Sequence, residues 1–195
     1  MPKGRFEAFS DGVIAILITI MVLELRTPDG KTWGALKDDV PVLLAYLLSF
    51  VMLGIYWNNH HHMLQAVSRI SSGALWANLD LLFWLSLIPF VTSWMSENSF
   101  AQTPVAAYGL VLLAAGVAYF VLQAILLRIE GPDSPLARAI GRDVKGKASV
   151  VIYIVGIGLS FVDRWLGLAA YVVVACLWLV PDRRVSRTMM SRPDR

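Results

Sequence analysis

His60, His61 and His62 are the only histidines in the chain, and three in a row invite a metal reading. Ligands carried by one helix must share a face, at i, i+3 or i, i+4 spacing. At about 100° per residue these three rings spread over about 200° and cannot converge on one ion, so no metal is expected. Two readings remain for Asn58, Asn59 and the histidines. One is polar capping at the end of a membrane helix. The other is a packing and hydrogen-bond network with Arg5, Ser10 and Asp11. Ionisable groups at membrane depth are costly and need partners, which favours a network for so dense a set. Asp80 stands in an otherwise apolar stretch. It is either a charge close to the interface or one half of an ion pair with Arg5 or a histidine. The single Cys176 lies in an apolar run and is expected only to pack there. No G-x-S-x-G, H-E-x-x-H, P-loop or Rossmann pattern occurs, so nothing points to an enzyme, and nothing suggests a nucleic-acid partner.

The elements that must position these groups are helices in lipid. Hydrophobic residues make up 57% of the chain and charged residues 16%, with mean hydropathy +0.62. Soluble domains average roughly 45–50% apolar and 25% charged. The stretch Arg5–Leu25 is uncharged from Gly12 to Leu23 and apolar nearly all round. That pattern belongs to a deeply buried or lipid-embedded helix. The chain reads as all-α, with six spans near 6–25, 41–62, 74–95, 104–128, 147–163 and 165–181, and a basic tail over 182–195. Pro89 is expected to kink the third span. Asp163 and Arg164 separate the last two as a tight hairpin.

Thirteen of the 17 Lys and Arg residues fall in the N-terminus, the 2–3 loop, the 4–5 loop and the tail, and only Arg26, Lys31, Lys37 and Arg164 fall on the other side. The positive-inside rule then places both termini in the cytoplasm. The seven tryptophans mostly sit near span ends, as in an aromatic belt. A cleavable signal peptide is not expected, because the first apolar run is long and follows a polar motif.

Arg5-x-x-x-Phe9-Ser10-Asp11, followed by Ala15-Ile16 and Thr19, resembles the signature of the transmembrane protein 175 family of potassium channels. Trp57-x-Asn59-His60-His61 and Asn78-Leu79…Pro89-Phe90 resemble the second and third helices of its prokaryotic members. The resemblance implies a homotetramer in a prokaryotic inner membrane. Each chain would have six helices, the first lining the pore, with K⁺ as the permeant ion and no cofactor. It also implies that the first-helix motif is braced by the Trp and a His of the neighbouring helices; whether His60 or His61 does this stays open. A small secondary transporter or a non-conducting scaffold is the alternative.

With Ile16 at zero on an ideal helix, Phe9, Gly12, Thr19, Ile20 and Leu23 fall within about 60°, and Asp11 lies about 140° away. Copies meeting around an axis would present apolar rings at Ile16, Ile20 and Leu23 and a hydroxyl ring at Thr19. Ile16 matches the family's pore isoleucine, eleven residues after the motif arginine. No T-V-G-Y-G segment exists, so a carbonyl-lined filter is not expected. Glu24 at the far end of the helix would ring the outer mouth, or act as an ordinary interfacial carboxylate.

Overall fold

A computed structural model describes residues 2–25, 27–28, 30–37, 39–141 and 143–180. The basic tail, Arg26 and Arg142 lie outside them. The described residues form eight α-helices and one short 3₁₀ turn, Ala35–Lys37. The helices are α1 (Lys3–Leu23), α2 (Val40–Gln65), α3 (Ser72–Ser86), α4 (Ile88–Glu97), α5 (Gln102–Glu130), α6 (Pro135–Ile140), α7 (Val144–Ser160) and α8 (Arg164–Leu179). Four helical segments are long and apolar enough to cross a membrane: Lys3–Leu23, Val40–Gln65, Ser72–Glu97 and Gln102–Glu130. The two last helices are shorter, 17 and 16 residues.

The expected third span is two helices. Leu87 ends α3 and begins α4, with Pro89 in the first turn of α4. Proline has no N–H to give to the carbonyl four residues back and its ring crowds that carbonyl, so the helix restarts instead of bending smoothly. The helix α6 falls in the loop between the expected fourth and fifth spans and has its own signals. Ser134 caps the N–H of Ala137 at 3.1 Å, Pro135 opens the first turn, and Gly141 stops it at φ 56°.

Helix α5 is the central post, packed on by α3, α4, α7 and α8. Val105, Tyr108, Leu112, Ala115, Leu122 and Leu126 are its buried side. The α7–α8 hairpin closes tightly because its crossing is made by glycine. A Cβ on Gly167 would lie 2.7 Å from Cβ of Ser160 and 3.0 Å from the carbonyl oxygen of Gly156. Small residues allow this approach between membrane helices. Asp163 caps α8, accepting from the N–H of Trp165 at 2.7 Å. Helix α1 sits at the other side of the bundle, against α2, α3 and α4.

Candidate functional site

Helix α1 divides into two faces. Phe6, Ser10, Ile14, Leu17 and Met21 are buried against the bundle. Their spacing of three and four residues puts them on one side of the helix. Gly12, Ile16, Thr19, Ile20 and Leu23 form the open side, with Ile16 58% and Leu23 81% exposed. Phe9, at the start of the same strip, is 49% exposed. A Cβ on Gly12 would meet nothing within 4 Å. Ile18, opposite Ile16, packs partly on the core. The Thr19 hydroxyl donates to the carbonyl of Ile16 at 2.8 Å. Its proton is therefore used on the backbone, and what it offers outward is an oxygen with lone pairs.

A hydrogen-bonded chain holds α1 from behind. The Ser10 hydroxyl donates to the carbonyl of Phe6 at 3.0 Å, so toward Asn78 it must accept, from Nδ2 at 2.9 Å. The Asn78 amide oxygen then faces His60 Nε2 at 2.8 Å. An amide oxygen only accepts, which places the imidazole proton on Nε2. Nδ1 of His60 is left buried with no partner. The His60 ring stacks on Phe6, centroids 6.3 Å apart. Ser10, His60 and Asn78 are each at most 2% exposed. Buried polar groups of this kind specify one arrangement when they are satisfied.

The remaining histidine contacts separate the roles that the sequence leaves undivided. Trp57 Nε1 donates to Asp11 Oδ1 at 3.0 Å, and the Trp57 ring stacks on His61 at 5.8 Å. His61 in turn bonds Gln65 at 2.8 Å. His60 thus reaches α1 through Asn78 and Ser10, and His61 reaches it through Trp57 and Asp11. Asn59 does neither: it donates to the carbonyl of Ile55, and its own carbonyl accepts from Tyr119 of α5.

Two contacts that the sequence leaves open are not made among the described residues. Arg5 is exposed and does not meet Asp11; the ion pair on this helix is Lys3–Glu7 at 3.9 Å. The Arg5 side chain leaves from the first turn, six residues before Asp11, and the two point about 120° apart around the helix at about 100° per residue. Asp80 pairs with neither Arg5 nor a histidine. It lies on the exposed side of α3 beside Trp76, Leu79 and Phe83, whereas the buried position two residues earlier is taken by Asn78. Asn78 is the residue that sequence reasoning passed over as a chemical group. Its signal was present: it shares a helical face with Ala74, Leu81, Leu82 and Leu85, so it is an amide on a core stripe.

Glu24, at the far end of α1, lines a cavity of about 210 Å³ with Asp39, Tyr46, Thr92 and Glu97. Among the described residues no group of three or more His, Cys, Asp or Glu is placed to hold a metal ion.

Apolar helices long enough for a bilayer, one of them braced behind and left open in front, define a polytopic helical membrane protein. Comparison with known proteins gives the family. The model of the family described as endosomal/lysosomal potassium channel TMEM175 matches residues 5–89. A potassium channel of Chryseobacterium sp. (strain P1-3) is 48% identical over 97% of this chain and 98% of its own length. A potassium channel of Streptomyces collinus is 34% identical over 89% of each. The crystal structure of a lysosomal potassium-selective channel TMEM175 homolog from Chamaesiphon minutus superposes with a TM-score of 0.76. It is 30% identical and covers 91% of this chain and 96% of that one. The chain belongs to the TMEM175 family, a family of ion channels and not of enzymes.

Proposed function

We propose that this protein is a potassium-permeable channel that conducts passively through a pore lined by α1. The carrying observation is the two-sided α1: a polar brace behind and an unpacked face of Gly12, Ile16, Thr19, Ile20 and Leu23 in front. Relatives named potassium channels, similar over nearly the whole chain, support the ion and the activity. In this reading four copies assemble in a prokaryotic inner membrane, and residues 1–181 form the channel domain with six spans. The tail 182–195 and the N-terminus face the cytoplasm. Ile16 makes the narrowest ring, with Ile20 and Leu23 as further apolar layers toward the outside. Ser10, Asp11, Trp57, His60, His61 and Asn78 hold the helix at its angle.

An apolar ring offers an ion nothing to replace its hydration shell. Conduction through it requires widening or passage of a partly hydrated ion, and a closed ring gates by dewetting. Selectivity then follows from pore width and the cost of removing water, assisted by the outward-facing Thr19 oxygens. The channel needs no cofactor. Reconstitution into liposomes with a K⁺ gradient and a proton ionophore tests this. The protein should carry K⁺ faster than Na⁺ with no counter-substrate. Flux that requires a second solute moving in exchange would make it a transporter, and no flux from intact tetramers would make it a scaffold.

A further inference from the structure

The side of the bundle remote from α1 carries a second surface whose composition is not that of bare lipid-facing helix. At the start of α7, Gly141, Val144, Lys147, Ala148, Val151 and Ile152 line a shallow, open groove. Below it the outward strip of α7 continues through Ile154 and Val155, both exposed. One end of this surface is cationic and the rest is apolar. Lys145 is already engaged, donating to the carbonyl of Val180 at 2.7 Å and lying over the Trp178 ring. Lys147 is exposed, as is Arg138, which lies one turn before Gly141 on α6. That short helix is fixed by Leu136, 1% exposed, and by Ile140 packed on the core, so Arg138 is held on its outer side. Asp143 caps Gly146 through Oδ1 and accepts from Gln123 of α5 through Oδ2, keeping its charge, so this end sets Arg138, Lys145 and Lys147 against it.

We propose that this groove is a binding site for an anionic phospholipid. Lys147 and Arg138 meet the headgroup phosphate, and one acyl chain lies along Val144, Val151 and Ile152. Charge complementarity selects a lipid with a net negative headgroup over a zwitterionic one, since cations near a membrane surface attract anionic lipids. The apolar floor selects a lipid over a free phosphate. A second copy of the chain is a poorer occupant, because α7 packs on α5 and α8, away from the open face of α1.

Native mass spectrometry of the full-length protein in detergent, titrated with dioleoyl phosphatidylglycerol or dioleoyl phosphatidylcholine, tests this. Phosphatidylglycerol should bind more tightly, and the preference should fall about five-fold for each cation removed in Arg138→Gln and Lys147→Gln. Lys31→Gln with Lys37→Gln, which removes the same charge elsewhere, should keep the preference. If the double groove variant does not fold, Lys147→Gln alone carries the comparison. Equal affinity for the two lipids overturns the site, as does a preference that survives loss of both cations. So does equal binding of glycerophosphoglycerol, which has the headgroup and no acyl chain.

Discussion

At the scale of single residues, the account rests on which polar groups are satisfied by whom. Asn78 is the hub, because it joins Ser10 of α1 to His60 of α2. Replacing it by Ala strands the buried Nε2–H of His60 and leaves Ser10 with only its bond to Phe6, and an unsatisfied buried group costs about 1–3 kcal/mol. We expect Asn78→Ala to lower thermal stability and tetramer yield, measured by fluorescence-detected size exclusion after heating. Asp80→Asn, two residues on and exposed, should change neither. The reverse order of sensitivity would mean that the brace is assigned to the wrong side of α3. The sequence made the wrong one of these two conspicuous. A carboxylate in an apolar run stands out by its charge, whereas an amide is found only by asking which face of the helix it shares. The histidines show the same limit: spacing excludes a shared metal ion, but only packing separates His60, bonded to Asn78, from His61, stacked on Trp57.

At the scale of the element, α1 was legible because helical geometry assigns faces without any neighbour. The residues within about 60° of Ile16 on the wheel fall on one open strip in the folded chain, since nothing kinks α1 between Lys3 and Leu23. The third span was legible only as a length of apolar sequence. Whether Pro89 bends a helix or splits it depends on how its neighbours pack, and α4 lies against α2 and α5. The short α6 was missed because its Ser-Pro start and Gly stop sit in a charged loop with no apolar period. Glycines give the test at this scale. Gly167→Leu drives a side chain into Ser160 and the backbone at Gly156 and should destabilise the protomer by about 1–3 kcal/mol in a reversible unfolding assay. At Gly12 the Cβ of a leucine meets nothing within 4 Å in its own chain. Gly12→Leu should leave protomer stability intact while reducing K⁺ flux, by filling the space between α1 helices. Unchanged flux in assembled Gly12→Leu protein would place that face against lipid.

At the scale of the whole molecule, the sequence proposes a topology, because loop charge acts through the membrane and not through contacts. In a Cys176→Ala background, Lys31→Cys should be labelled from outside the cell by an impermeant thiol reagent, and Arg69→Cys only after permeabilisation. The opposite pattern would invert the orientation and with it the outward order Ile16, Ile20, Leu23. Assembly is what no single chain can display: in the proposed tetramer, the face of α1 that one protomer leaves open is the face that four copies share. Ion selectivity through Ile16 is therefore the central claim, and one paired measurement bears on it most directly. K⁺ and Na⁺ flux are compared in liposomes holding wild-type protein, Ile16→Asn or Ile18→Asn. Ile16→Asn should wet and widen the ring, raising cation flux and weakening the preference for K⁺. Ile18→Asn, about 160° around the helix, should leave that preference unaltered in assembled protein. Equal effects of the two substitutions on flux and on K⁺ over Na⁺ preference would contradict the assignment of this face to the pore.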